Sequence, residues 1–196
     1  MTESDDAKTA LRDYLRETRE DLIWKLDGLS EREARLPRTP TGNNLLGIVK
    51  HCLNVEAAYF GRTFGREFPD VGELVPESAY EKDPQADWYA TADETKDGLI
   101  DLYRRVGEFA DRTIEALPLD APGEVPWWRP ETRAVTLQRI IVHVIADLAR
   151  HAGHADILRE QADNAIGVRQ ENSNLPDDHD WPAYVAKLTT LADRFR

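Results

Sequence analysis

The chain has 196 residues, 41% hydrophobic and 32% charged, enough for one sizeable core and most simply for one domain over residues 1–196. Its formal net charge of −12 argues against a nucleic-acid backbone as partner, because binding phosphates needs a basic surface. With no run near ~18 apolar residues, an acidic opening "MTESDDAKTA" and a single cysteine, Cys52, the sequence predicts no membrane span, no secretion signal, no disulfide framework and a cytoplasmic setting.

Helical signals dominate and strand signals are poor. From about Asp5 to Leu29, Leu11, Leu15, Leu22, Ile23 and Leu26 recur at helical spacing, and Gly28 ends the pattern. A second helix is predicted over about Asn43 to Gly61, "NNLLGIVKHCLNVEAAYFG", apolar on most sides and therefore deeply buried. A third begins at "TADE", where Thr91 and Glu94 stand in capping-box relation, and continues through Leu99, Leu102, Tyr103, Val106, Phe109 and Ile114. The fourth runs from about Thr136 to Gln161. A shorter fifth, "DWPAYVAKLTTLADRF", has Asp180 as N-cap and Pro182 in its first turn. The predicted fold is all-α: a four-helix bundle with a short extra C-terminal helix. About 28 residues separate helices two and three, and about 18 separate three and four, whereas antiparallel neighbours need about 2–8. At least one long crossover is expected, and such loops are good walls for a pocket.

The fourth helix carries a polar stripe. In "IADLARHAGHADILRE", Asp147, His151 and His154 fall at i, i+4 and i+7, and His143 lies one turn before Asp147. Asp147 and His151 are about 40° apart around the axis and about 6 Å along it, so one face can offer both to one metal. Spacing alone leaves His143–Asp147, Asp147–His151 and His151–His154 all open as pairs. The plainer reading is a hydrogen-bonded core or boundary histidine with Asp147 as its acceptor. His51 weighs against it, since an unpaired imidazole in the middle of the most apolar helix would be costly to bury. Two nitrogens and a carboxylate oxygen from two helices would leave a position for water or substrate, as catalytic metal sites do.

Three stretches, "TGNNLLGIVKHCLNVEAAYFGRTFGREFP", "DPQADWYATADET" and "TLQRIIVHVIADLARHAGHADILRE", resemble the DinB-like superfamily of metal-binding four-helix bundles. The likeness covers roughly residues 8–165 and is nearest to an actinobacterial branch related to mycothiol-dependent enzymes. It implies three ligands for a divalent ion, one from helix two and two at i, i+4 from helix four. These are His51, Asp147 and His151. Many members have a histidine where this chain has Asp147, and a carboxylate hardens the site. Zinc is the first expectation, with nickel, iron, cobalt or manganese as alternatives.

The resemblance further implies a metal-dependent S-transferase joining a low-molecular-weight thiol (mycothiol, bacillithiol or glutathione) to an electrophilic small molecule. His154 and His143 are the candidate assisting residues, His143 also as a hydrogen-bond partner of Asp147. Trp127, Trp128 and Arg159 are candidates for holding the substrates, against plainer roles as a loop anchor and a helix-surface ion pair. Cys52 points about 100° away from His51 and reads as an inert core thiol. His179 reads as a turn residue. A metal-dependent hydrolase would want an acid near the activated water, and Glu56 lies about 140° from His51 around the helix. A non-catalytic metal-binding stress protein is the third reading. The apolar sides of helix two, and the pairing common in similar proteins, lead us to expect a homodimer.

Overall fold

The computed structural model describes residues 3–169, 173–176 and 178–195. They form two compact units, Met1–Ile166 and Gly167–Arg196. The first holds α1 (Glu3–Trp24), α2 (Glu31–Arg35), α3 (Leu45–Phe60), α4 (Glu77–Lys82), α5 (Lys96–Ala116) and α6 (Leu137–Asp163), and the second holds α7 (Trp181–Ala192). Turns of 3₁₀ helix occupy Arg62–Phe64 and Val71–Glu73. The described residues are thus mostly helical. The poor strand signals hid one small element: β1 (Pro122–Glu124) pairs antiparallel with β2 (Ala134–Thr136), Gly123 opposite Val135. Strands this short rest on the packing around them and leave little periodic trace.

The helix starts follow from local chemistry. The Asn44 side chain accepts from Gly47 N at 2.7 Å to cap α3, and Thr136 and Asp180 cap α6 and α7. The third long helix starts later than the sequence predicts. Glu94 does accept from the Thr91 N–H, at 2.6 Å, but the same carboxylate binds Lys50 Nζ at 2.9 Å. That ties the segment to α3 and makes it a turn ahead of the helix. Thr95 caps α5 instead, accepting from Gly98 N at 3.0 Å.

The long helices pack α3 against α5 and α6, and α1 against α6 and α5. The connection between α3 and α5 runs back along α3. Val75 N donates to Asn54 Oδ1 at 2.9 Å, Asn44 Nδ2 to the Trp88 carbonyl at 3.1 Å, and Lys50 Nζ to the Tyr89 carbonyl at 3.0 Å. Consequently α5 starts beside the start of α3 and runs in the same sense, with Tyr103 beside Glu56 and Phe109 beside Gly61. A connection between parallel helices has to travel a helix length, which accounts for its size. Gly47 permits the return: a Cβ there would lie 1.9 Å from the Trp88 carbonyl oxygen.

The core also buries charge. Arg19 of α1 pairs with Glu56 of α3 (Nη2–Oε2 3.0 Å), and Tyr103 of α5 donates to Glu56 at 3.3 Å. A Cβ on Gly107 would meet the Arg19 guanidinium at 2.7 Å, so the missing side chain makes its room. Burial pushes the Glu56 carboxyl above its usual range against the pull of Arg19.

Candidate metal centre

His51 and Asp87 begin the site. His51 lies one turn after Gly47 on α3, so the loop that crosses Gly47 lies over the imidazole. Its Nδ1 is 2.7 Å from Asp87 Oδ2, and its ring stacks on Trp88 with centroids 4.0 Å apart and planes 18° apart. Asp87 is buried, and the Tyr80 phenol is pushed up by burial and then by that carboxylate. A carboxylate at Nδ1 fixes the proton there and leaves Nε2 as the lone-pair donor.

α6 completes the group. Ligand atoms of His51, Asp147 and His151 all lie within 4.8 Å of one another. A tetrahedral ion with bonds near 2.0–2.2 Å spaces its ligand atoms about 3.3–3.6 Å apart, so this is the scale of one coordination sphere, slightly open. His151 Nε2 is 3.7 Å from Asp147 Oδ1, too far for a hydrogen bond, and His151 Nδ1 is buried with no partner. Burial holds the His151 imidazole below its usual range; Asp147 opposes this, and His51, His154 and Arg150 add to it. A neutral buried imidazole short of partners fits a donor set for a divalent cation. Two imidazoles and a carboxylate can serve as donors to a divalent cation, and the three residues could hold one.

The group opens on a cavity of about 1080 Å³ whose wall includes His51, Asp147, Asp87 and Tyr80. A family model described as Mycothiol-S-transferase matches residues 10–164. The chain belongs to this DinB-like family. No curated relative matches it.

The other residues singled out in the sequence are dispersed. His143 lines the cavity, but its hydrogen-bond partner is Tyr59 (Nε2···Oη 3.0 Å) rather than Asp147. The Trp128 indole donates to the same phenol at 3.0 Å, so Trp128 anchors the hairpin loop, while Trp127 lines the cavity. His154 is exposed, its ring 5.8 Å from that of His151. Arg159 lies elsewhere: its guanidinium is spent on Asp163 at 2.8 Å and on the carbonyls of Lys25 and Asp27, closing the end of α1 onto α6. Cys52 is fully buried, and burial, then Asp147, pushes its thiol up, as an inert core cysteine requires. His179 contacts Trp181 and Tyr184 within the second unit.

Sequence reasoning missed Asp87, Trp88 and Tyr59 as parts of this site. The only signal was indirect. "ADWYA" puts a carboxylate beside aromatic residues in a long loop, and a carboxylate drawn under aromatics needs a buried donor.

Proposed function

We propose that the protein is a divalent-metal-dependent S-transferase that joins a low-molecular-weight thiol, of the mycothiol type, to an electrophilic small molecule. One observation carries the reading: in a chain of the Mycothiol-S-transferase family, two imidazoles and a carboxylate converge, and His51 and Asp147 of that group line a cavity large enough for two small molecules. We also read the four long helices as the four-helix bundle expected of this superfamily, with α3–α5 as its crossover, and residues 1–196 as one working chain.

In this reading His51, Asp147 and His151 hold the ion, zinc first. A divalent ion bound there would favour the thiolate over the thiol at neutral pH and stabilise charge at sulfur. The rest falls to side chains. Asp87 and Trp88 fix the His51 ring, so that Nε2 keeps its direction when substrate enters. The sulfur forms a bond to the electrophilic carbon. The thiol proton leaves for the Tyr59–His143 pair, which already shares a hydrogen bond on the cavity wall. The electron pair of the broken bond departs with the leaving group, or takes up that proton where the electrophile is an activated alkene. His154, exposed one turn beyond His151, passes protons to solvent. Trp127 walls the electrophile's side.

Glu56 speaks against the hydrolase alternative. It is the acid that reading would use, and it is fully buried and bound to Arg19 and Tyr103. A structural staple would normally have four protein ligands, and the group found among the described residues numbers three.

The test is His51→Ala in the full chain, with metal content by mass spectrometry and conjugation of mycothiol to a generic electrophile. Loss of both metal and turnover, with helical circular dichroism unchanged, is the expected result. Undiminished metal content would overturn the ligand set.

A further inference from the structure

Two arginines line the cavity, and they are in different states. Arg62 pairs with Glu77 (Nη2–Oε2 3.3 Å), and its guanidinium lies 5.3 Å from the Trp127 ring centroid. Arg66 has no such arrangement. Its Nε is buried without a hydrogen-bond partner, and among the described residues no carboxylate or carbonyl is paired with its guanidinium. Glu67 also lines the cavity but does not pair with it. This is not for want of acids, since 37 Asp and Glu residues face 25 Lys and Arg in the chain. The two buried arginines are matched, Arg19 to Glu56 and Arg159 to Asp163; Arg12 and Arg38 also bury an unpartnered Nε, but each bonds an acceptor through Nη1, Glu115 and the Gln161 carbonyl.

A guanidinium whose Nε has left water without gaining an acceptor has lost hydration for nothing within the chain. It is also the one side chain that always keeps its charge. An acceptor from outside would restore the balance. The planar fork of N–H donors is complementary to a carboxylate, which it can grip through two parallel bonds.

From this we infer that the cavity takes a molecule bearing an anionic group of the carboxylate class, with Arg66 as its counter-ion and the His51–Asp147–His151 group beside its reacting part. The inference deepens the S-transferase reading and rests on it for what reacts; the anion site itself is tested by binding alone. Either co-substrate could bring the anion, the electrophile or the thiol. The wall has two further features suited to it: Trp127 offers an aromatic face for an apolar body, and Arg62 lends positive potential nearby.

Two acid–amide pairs separate the sources. 3-Nitrobenzoate and 3-nitrobenzamide stand for an electrophile, and N-acetylcysteine and its amide stand for a thiol. Binding of each to the full-length protein is measured by calorimetry, zinc-loaded and metal-stripped. In one pair the acid is expected to bind about tenfold more tightly than the amide, the worth of one added ion pair in a partly dry cavity. Arg66→Gln should erase that preference and Arg66→Lys should keep part of it. Because the Arg66 side chain makes no hydrogen bond or ion pair among the described residues, circular dichroism of both variants should match wild type. For the nitro pair the preference should persist without zinc. Equal binding of acid and amide in both pairs, or a preference that survives Arg66→Gln, overturns the proposal. Turnover of 4-chloro-3-nitrobenzoate with a thiol is read separately. A preference without turnover sinks the transferase reading and keeps the anion site; turnover with no preference does the reverse.

Discussion

Replacing Asp87 with alanine should weaken metal binding without unfolding the protein. The His51 Nδ1–Asp87 Oδ2 contact is 2.7 Å, and its side chains are only 16% and 7% exposed, so little water can replace the lost carboxylate. Outer-shell partners of metal-bound histidines are typically worth about 10–100-fold in affinity, or about 1.4–2.7 kcal/mol. The dry surroundings place this pair toward the upper half of that range. Trp88 still stacks on the ring at 4.0 Å in the variant, so the imidazole stays in place. What is lost is the fixed tautomer and the added basicity at Nε2. Asp87→Asn keeps a neutral acceptor and should fall between alanine and wild type. Zinc titration against a competing chelating dye at neutral pH reads the affinity, and thermal melting of the metal-stripped proteins checks the fold. If Asp87→Ala binds zinc within about twofold of wild type while His51→Ala does not bind it, the carboxylate does not serve the site.

Two other changes probe how the fold presents the site. Gly47→Ala forces a methyl to within 1.9 Å of the Trp88 carbonyl oxygen, so the crossing loop has to lift; we expect about 1–3 kcal/mol of lost stability together with weaker zinc binding, and a variant that melts and binds like wild type refutes the loop contact. Arg19→Met leaves the Glu56 carboxyl buried without its cation, which should cost about 3–5 kcal/mol by urea denaturation at neutral pH. Burial already raises Glu56 above its usual 4.5, so its folded state keeps a proton that the unfolded chain releases. The stability this confers is fully present below 4.5 and is lost as pH rises through the folded value. Removing Arg19 raises that value further, so the gap between variant and wild type should widen as pH rises above 4.5. A gap that is constant with pH refutes the account of the pair.

Much of the scaffold was legible because helical periodicity and capping are local. Leu15, Leu22 and Ile23 of α1 and Leu26 just beyond it all prove buried, and Thr136 and Asp180 cap the helices they precede. The size of the loop before α5 also announced a crossover. The site was only half legible. Spacing on α6 offered three candidate pairs; the cost of burying an unpaired imidazole drew attention to His51, and the likeness to DinB-like proteins singled out Asp147 with His151. Asp87 was invisible for a physical reason. Its partner lies 36 positions earlier in the chain, and the two meet only because Gly47 lets the Trp88 backbone lie on α3. His143 shows the converse error. One helical turn from Asp147 is compatible with a hydrogen bond, but a closer phenol from α3 takes the imidazole instead.

The apolar character of α3 has a second consequence. In the sequence it exceeded what a small bundle can cover and suggested self-association. In the structure α3 is flanked by α5 and α6, and the 61–95 connection runs back along it, so that nearly its whole length is buried within one chain. The surface that motivated a homodimer is therefore already used. Two of the polar side chains that α3 carries into the bundle point in different directions. Glu56 turns to Arg19 of α1 and Tyr103 of α5, where it serves the core. His51, about 140° around the axis, turns to α6 and the cavity, where it meets Asp147 and His151. A helix solvated on one side could not have assigned one buried polar group to packing and another to chemistry. Because these are different faces, stripping the metal should disturb the α3–α6 wall and leave the Arg19–Glu56 side standing.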